Sequence, residues 1–358
     1  MDIRVVTADA LTPDQLAAWD AIQRADATLA SPYFRPEFTQ AVAAVRKGVE
    51  VGVLEDGGRP VGFFPFQRGA GRTACPVGGK MSDFQGVIAR PEVAWQPKEL
   101  LRGCRLVAWH FDHLLSSQTQ LQPHRWRVET SPYLDLSRGW DGYRADQLAA
   151  HPRSFKQAMR KLRRAETEAG PVRVELNTDR RDVFESLVRW KIAQYERTGV
   201  TNVLAFDWTV ALLDRIRRTD GERFSGVLSA LYLGDILAAV LLSMRSGGVL
   251  HAWFSAYRPE FAALSPGLML WMELARRCPE LGIQRLDLGK GDEAYKRHLA
   301  SGAVEVAEGA VDLRPIRRLV RRGCHRACDW ARQSSLRRPL LVPGRMIRRA
   351  LEARGFRS

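Results

Sequence analysis

The segment 249–296 constrains the fold more than any other part of the chain, because it contains a complete strand–helix–strand pattern. Residues 249–257 are rich in β-branched and aromatic residues, which predicts a strand, and residues 283–288 predict a second one. Between them, apolar residues over 268–275 follow the spacing of one face of a helix, about 3.6 residues per turn. The pattern therefore predicts a β-α-β unit.

The helix of this unit begins with small residues. Ser265 is a good N-cap, and Pro266 suits the first helical position because its missing N–H is not needed there. Gly267 follows, so the backbone N–H groups at the positive end of the helix dipole are not covered by a bulky side chain. A helix start of this kind can bind a phosphate or pyrophosphate group.

The rest of the sequence adds helices and hairpins. Thr12 is the expected cap of a first helix, and turns at 55–58 and 234–235 each join two β-rich runs. The similar settings of the two hairpins suggest a fold that occurs twice in tandem. Helices are predicted at 13–25, 36–47, 145–170, 180–197 and 207–218, and further strands at 3–6, 86–88, 105–108, 127–129, 172–176 and 303–313. On pattern alone, the fold class is α+β.

Composition limits the cellular setting. A chain of 358 residues, 45% of them hydrophobic, is long enough for two domains with separate cores. No run approaches about 20 apolar residues, and the N-terminus lacks a basic region followed by an apolar run, so we expect a cytoplasmic protein without a membrane span. The five cysteines lack C-x-x-C spacing, which favours reduced thiols over disulfides or a zinc site.

The positive charge is concentrated in the C-terminal segment 314–358. This segment holds fourteen arginines and two carboxylates, which accounts for +12 of the net charge of +15. Its apolar residues, with Trp330 among them, fall on one side of a predicted helix and most arginines on the other, as in a helix that lies on anionic lipid. We expect an anionic membrane surface or a membrane-bound polysaccharide synthase as its partner. A cyclic dinucleotide regulator is the next alternative, and nucleic acid is disfavoured because interleaved aromatic residues are missing.

Three runs in the C-terminal half carry a family resemblance: YRPEF at 257–261, LSPGLML at 264–270 and RLDLGKGDEAYK at 285–296. They resemble the core signature of the GNAT acetyltransferase superfamily, and more narrowly its CelD-like branch, found with bacterial cellulose and exopolysaccharide synthesis genes. That branch carries SPG at the start of the cofactor helix and a D-x-G-x-G-D-x-x-Y-K run. The run is complete here as Asp287, Gly289, Gly291, Asp292, Tyr295 and Lys296. The residues 265–267 stand where other GNAT enzymes have an Arg/Gln-x-x-Gly-x-Gly/Ala loop.

The resemblance extends more weakly to the N-terminal half, through DFQG at 83–86 and WHFDHL at 109–114. It implies tandem GNAT-like domains, each with a mixed, mostly antiparallel twisted sheet flanked by helices. The expected domains are an N-terminal GNAT-like domain at 1–138 and a C-terminal acetyltransferase domain at 139–313, followed by a basic helical tail at 314–358.

Acyl transfer from a thioester needs a deprotonated acceptor, donors for the developing oxyanion and an acid for the leaving thiolate. Asp292 is a candidate base and Tyr295 a candidate acid; alternatively, Asp292 caps a helix and Tyr295 is a core aromatic residue. His251 is a third catalytic candidate, because the resemblance places its strand along the acyl-thioester cleft. Its alternative role is that of a buried structural histidine.

The resemblance implies acetyl-CoA as co-substrate. The candidate cofactor-binding residues lie at the helix start or are cationic: Ser265, Gly267, Leu268, Lys296 and Arg160. Arg160 belongs to the basic segment 153–164, whose alternative role is a solvated helix face. The candidate substrate-binding residues are Asp83, His110, Asp112 and Asp287. The H-x-D-H spacing at 110–113 matches no standard zinc motif, so we expect no metal.

Together these features imply a cytoplasmic acyl-CoA-dependent N- or O-acetyltransferase, peripheral to the inner membrane, that acts on a sugar precursor of a bacterial exopolysaccharide. One alternative is a FemX-like transferase that uses aminoacyl-tRNA; the absence of a long heptad-bearing helix pair disfavours it. The other is a degenerate GNAT fold that serves as a binding or regulatory subunit and responds to a nucleotide through its arginine-rich tail.

Overall fold

A computed structural model of the chain describes residues 1–291, 294–317 and 323. The chain divides into two compact units. Unit 1 contains Met1–Leu29, Pro36–Glu129 and the residues from Glu305 onward, and unit 2 contains Ala30–Arg35 and Thr130–Val304. The domain boundaries expected from the sequence stay a prediction. The tail residues 318–322 and 324–358, with the predicted amphipathic helix, lie outside the described residues.

Unit 1 begins with six strands and three helices. The strands are β1 (Asp2–Thr7), β2 (Val49–Asp56), β3 (Arg59–Arg68), β4 (Thr73–Cys75), β5 (Ile88–Ala89) and β6 (Ala108–Leu115), and the helices are α1 (Pro13–Ala25), α2 (Pro36–Ala43) and α3 (Pro97–Gly103). The strands form a sheet in the order β1-β2-β3-β4-β6, and β5 pairs with β3. Only β4 and β6 pair in parallel among these.

Two local predictions in unit 1 are confirmed. Thr12 caps α1 in a reciprocal box, because the Gln15 N–H donates to the Thr12 hydroxyl (3.3 Å) and the Thr12 N–H donates to the Gln15 side chain (3.0 Å). The turn at 55–58 joins β2 to β3 as expected. The strand predicted at 105–108 is wrong, since Arg105 has φ of 54° in the turn after α3 and β6 starts only at Ala108.

Unit 2 contains six strands and six helices among its described residues. Its strands are β7 (Arg125–Asp135, which begins in unit 1), β8 (Val172–Glu175), β9 (Ser225–Leu233), β10 (Ile236–Ser246), β11 (Val249–Tyr257) and β12 (Arg285–Asp287). Its helices are α4 (Gly139–Ala150), α5 (Pro152–Ala169), α6 (Arg181–Thr198), α7 (Asp207–Arg217), α8 (Pro266–Arg277) and α9 (Ala294–Leu299). The strand order is β7-β12-β11-β10-β9-β8, and only β11 and β12 pair in parallel here.

The β-α-β unit is confirmed as β11-α8-β12. Helix α8 buries Leu270, Trp271 and Leu274, which the helical spacing had predicted. The predicted helix 145–170 is wrong in one respect: it is two helices, α4 and α5, which meet at Pro152. Proline lacks the N–H donor and clashes with the preceding turn, so it starts a helix more readily than it continues one.

The chain returns to unit 1 along β13 (Gly302–Asp312), whose residues 306–312 pair antiparallel with β6. The strand pairs are mostly antiparallel and helices pack on them, which confirms the α+β class. The described cysteines Cys75, Cys104 and Cys278 are free thiols. Within the described residues, no helix has the length and apolarity needed to cross a membrane.

Candidate functional site

A cavity of about 570 Å³ lies within unit 2. It is enclosed by α5, α6, α8 and α9 together with the end of β11. Its lining residues are Gln157, Ala158, Lys161, Lys191, Gln194, Ser255, Tyr257, Ala262, Ser265, Gly267, Leu268, Trp271, His298 and Leu299. The volume is in the range of small-molecule sites, about 300–1,000 Å³.

The lining of the cavity is cationic. Two lysines, Lys161 and Lys191, come from different helices, and His298 lies at the cavity on α9. Among the described residues that line the cavity, none is acidic. Polar side chains and Trp271 complete the wall. This set of side chains suits a ligand that is partly apolar and carries negative charge.

The start of α8 forms one wall of the cavity. Ser265 occupies the predicted N-cap position of α8, but it has a left-handed backbone conformation, with φ of 58°, and its side chain makes no capping bond. Its hydroxyl instead accepts a hydrogen bond of 3.0 Å from the Lys161 ammonium. Gly267 and Leu268 line the same wall. The structure therefore brings together three of the five candidate cofactor residues.

Lys191 is held on another part of the cavity wall. Its ammonium donates to the Ser255 backbone carbonyl (3.1 Å) and to the Gln194 side chain (3.2 Å). It also lies 5.2 Å from the centre of the Tyr195 ring, within the range of a cation–π interaction. These contacts fix a positive charge between α6 and the end of β11.

His251 and Asp287 lie side by side in the core of unit 2, on the parallel pair β11 and β12. The His251 Nδ1 atom is 3.6 Å from the Asp287 carboxylate, and both side chains are buried. Arg285 forms an ion pair of 2.9 Å with the same carboxylate, and the Tyr33 ring packs edge-on to the His251 ring. Neither His251 nor Asp287 lines the cavity. Their surroundings fit the structural alternative, although their proposed roles stay predictions.

Two other candidate cofactor residues lie apart from the cavity lining. The buried Lys296 ammonium donates to the backbone carbonyls of Gly289 (3.2 Å) and Lys290 (3.1 Å), which holds the loop after β12. Arg160 is exposed on α5. Asp292 lies outside the described residues, and so does the side chain of Tyr295.

The N-terminal candidates belong to unit 1. Asp83 precedes Gln85, whose side chain donates to the Asp112 carboxylate (2.7 Å) and accepts from the backbone N–H groups of Asp112 and His113. Burial would raise the pKa of Asp112, but the hydrogen bonds from His113 and Gln85 hold it below its ordinary value. His110 lies on the same strand, β6. The DFQG and WHFDHL runs thus bind each other, with Gln85 as the linking residue that sequence analysis missed.

The residues at the cavity that sequence analysis missed are Lys161, Lys191 and His298. Lys161 had a detectable signal in the sequence, because the small apolar residues Ala158 and Ala165 lie one helical turn away on either side. A lysine flanked by two small apolar residues on one helix face is unusual when that face is exposed to solvent. Lys191 and His298 had no comparable signal, since they reach the cavity through helix packing. Within the described part of the chain, no group of acidic, histidine and cysteine side chains could hold a metal ion.

The part of the chain that forms this cavity matches a known protein family. Residues 153–297 match the family model described as an acetyltransferase (GNAT) domain. These residues belong to the GNAT superfamily. All cavity residues except His298 and Leu299 lie within this GNAT domain. No curated protein sequence matches the chain.

Solved structures share the fold. FemX has a TM-score of 0.56 and 12% identity, over 90% of this chain and 99% of FemX. The L-PGS structure from Bacillus licheniformis has a TM-score of 0.52 and 11% identity, over 87% of this chain and 96% of that one. The C-terminal domain of a putative lysylphosphatidylglycerol synthetase from Agrobacterium fabrum has a TM-score of 0.53 and 13% identity, over 85% of this chain and 93% of that domain. At these identities, the likeness extends to the fold alone.

Proposed function

We propose that the chain is an acyl-CoA-dependent N- or O-acetyltransferase that acts on a sugar or sugar precursor in exopolysaccharide synthesis. The observation that carries this proposal is the position of the cavity, which lies almost wholly inside the GNAT domain at 153–297. The start of α8, with Ser265 and Gly267, forms one wall of it. The cavity is therefore the expected place for both donor and acceptor.

The residues present fit coenzyme A. Its phosphates are negatively charged and its pantetheine arm is largely apolar, and the cavity offers Lys161, Lys191 and apolar side chains such as Leu268. When bound, acetyl-CoA supplies an activated acyl group as a thioester. The protein has to orient the acceptor, stabilise the developing oxyanion and move protons.

Two described residues at the cavity suit proton transfer. His298 carries an imidazole, whose two ring nitrogens can accept and donate a proton. Tyr257, at the end of β11, carries a phenol that can donate a hydrogen bond to a leaving group. We propose them beside Asp292 and Tyr295 as candidates for acid–base catalysis.

The proposed sugar acceptor rests on the resemblance of 264–270 and 285–296 to the CelD-like branch, and on the polar part of the cavity wall. Gln157, Gln194 and Ser255 present amide and hydroxyl groups that can pair with sugar hydroxyls. A sugar amine or hydroxyl bound there would share the cavity with the acyl donor.

The decisive test is calorimetric titration with acetyl-CoA. The Leu268→Asp variant places a carboxylate in the cavity, so we expect its affinity to fall at least about 10-fold through charge repulsion. Leu281→Asp is the matched control, because Leu281 is exposed and is not a cavity residue. Thiol release in the presence of amino sugars and neutral sugars then tests the acceptor. Failure of the native protein to bind acetyl-CoA would reject the proposal and favour a binding subunit.

One observation favours aminoacyl transfer as the second candidate. Helix α5 presents a row of exposed cations: Arg153, Lys156, Arg160, Arg163 and Arg164. A row of this kind can follow a nucleic-acid backbone, and the chain shares its fold with FemX. Binding of aminoacyl-tRNA that weakens steeply with salt, without binding of acetyl-CoA, would establish this alternative.

A further inference from the structure

The cavity contains a lysine whose position suggests a specific ligand group. Lys161 belongs to α5, outside the β11-α8-β12 unit that carries the family resemblance. Its neighbours Arg160, Arg163 and Arg164 are exposed, whereas Lys161 is half-buried and lines the cavity. It is therefore the one cation of the described segment 153–164 that a cavity ligand meets directly.

Among the residues that the structure describes, no carboxylate pairs with Lys161. Within the described part of the chain, its hydrogen-bond partner is the neutral Ser265 hydroxyl, at 3.0 Å, and no ion pair includes it. An ammonium group has three N–H donors, so two remain for a ligand. A half-buried ammonium is most stable beside a negative charge, which predicts an anionic ligand at this point of the wall.

The partner of Lys161 is itself held in an unusual conformation. Ser265 has φ of 58° and ψ of 54°, a left-handed conformation that is unfavourable for a non-glycine residue. Residues held in such conformations occur preferentially at ligand sites. The hydroxyl of Ser265 fixes the lysine end, so the ammonium is positioned before a ligand arrives.

We propose that Lys161, positioned by Ser265, binds the diphosphate group of the ligand of this cavity. The proposal rests on the function proposed above when the source of the diphosphate is coenzyme A. The diphosphate is then the charged group nearest to the thioester, which has to reach the proton-transfer residues of the same cavity. A nucleoside diphosphate is the other source of the same chemistry.

The test is calorimetric titration of the full-length protein and its Lys161→Met variant with acetyl-CoA, acetyl-dephospho-CoA and ADP. Loss of a charge-assisted contact predicts affinities about 10- to 100-fold weaker for the variant. The same factor is expected for acetyl-CoA and acetyl-dephospho-CoA, because both contain the diphosphate. Lys156→Met is the matched control on the exposed face of α5 and should bind within about two-fold of the native protein.

Further variants separate charge from packing. Lys161→Arg keeps the positive charge and should recover part of the affinity, whereas Ser265→Ala frees the lysine and should weaken binding less than Lys161→Met. Thermal unfolding of each variant checks that the fold is retained.

Four outcomes are decisive. If Lys161→Met binds acetyl-CoA as the native protein does, this inference is overturned and the proposed function stands. An effect confined to acetyl-CoA would mean that Lys161 binds the 3′-phosphate, which also overturns it. Lysine-dependent binding of ADP without binding of acetyl-CoA supports the diphosphate site with a nucleotide as its source and rejects the proposed function. If none of the three probes binds to the native protein, both proposals fall.

Discussion

At the scale of single residues, Asp287 has the largest predicted effect on stability. It is buried between His251 and Arg285, and removal of its carboxylate leaves the Arg285 guanidinium without its ion-pair partner. We expect Asp287→Asn to lower the free energy of unfolding by about 3 kcal/mol in urea titrations. Asp146→Asn is the control, since Asp146 pairs with Arg138 at an exposed site and should change stability by less than about 1 kcal/mol. Equal effects of both variants would contradict a structural role for Asp287.

The lowered pKa of the Asp112 carboxyl predicts that the stability of the folded protein depends on pH. Although burial opposes ionisation, the hydrogen bonds from His113 and Gln85 lower its pKa in the folded state below the ordinary value of 3.8. A carboxyl group whose pKa is lowered by folding contributes stability above its unfolded pKa, and this contribution disappears as the pH falls through its folded pKa. We expect Asp112→Asn to be less stable than the native protein at pH 6, and the difference to shrink below about pH 4. A difference that stays constant from pH 6 to pH 3 would contradict this account.

At the scale of secondary-structure elements, α4 supports the end of α9. The Tyr143 hydroxyl donates to the Leu299 carbonyl at 2.7 Å, and the Gln147 amide donates to the Ala300 carbonyl at 3.1 Å. Burial raises the pKa of Tyr143, so the phenol keeps its proton for this bond. Since His298 and Leu299 line the cavity, α4 contributes to the site without lining it.

We expect Tyr143→Phe to destabilise the protein by about 1 kcal/mol and to speed amide hydrogen exchange at the end of α9. Tyr232→Phe is the matched control. Within the described residues its hydroxyl makes only long hydrogen bonds, 3.4 Å from Arg180 and 3.5 Å to Glu175, so a smaller loss of stability is expected. Unchanged exchange in α9 of Tyr143→Phe would show that packing alone holds the helix.

At the scale of the whole molecule, the charge of the arginine-rich segment 314–358 suggests a binding function that is separate from the cavity. We propose that it binds the anionic inner face of a membrane, or a synthase embedded there, while unit 2 holds the cavity. Replacement of Arg317, Arg318, Arg321, Arg322 and Arg326 by glutamine should abolish binding to phosphatidylglycerol vesicles, since each arginine contributes about 1 kcal/mol near such a surface. Acetyl-CoA affinity should not change. Vesicle binding that survives these replacements would direct attention to a cyclic dinucleotide or a protein partner.

Local sequence signals predicted most elements because each rests on neighbours in the chain. The box of Thr12 and Gln15, the hairpin turns and the apolar period of α8 involve residues within a few positions of one another. The same signals placed Ser265 and Gly267 at the start of α8. Local rules failed at Pro152 and Arg105, where a proline and a left-handed residue interrupt patterns that otherwise look continuous.

The sequence by itself determined the α+β class, the β-α-β unit and the concentration of positive charge at the C-terminus, because these follow from local spacing and composition. Only the tertiary structure decided which side chains meet at the cavity. Lys161, Lys191 and His298 lie on three different helices, and the packing of these helices against one another brings them to one cavity. It also decided that the hydroxyl of the N-cap residue Ser265 accepts a bond from Lys161 instead of from a backbone N–H of α8. Long-range packing determines such contacts, and it depends on every element at once.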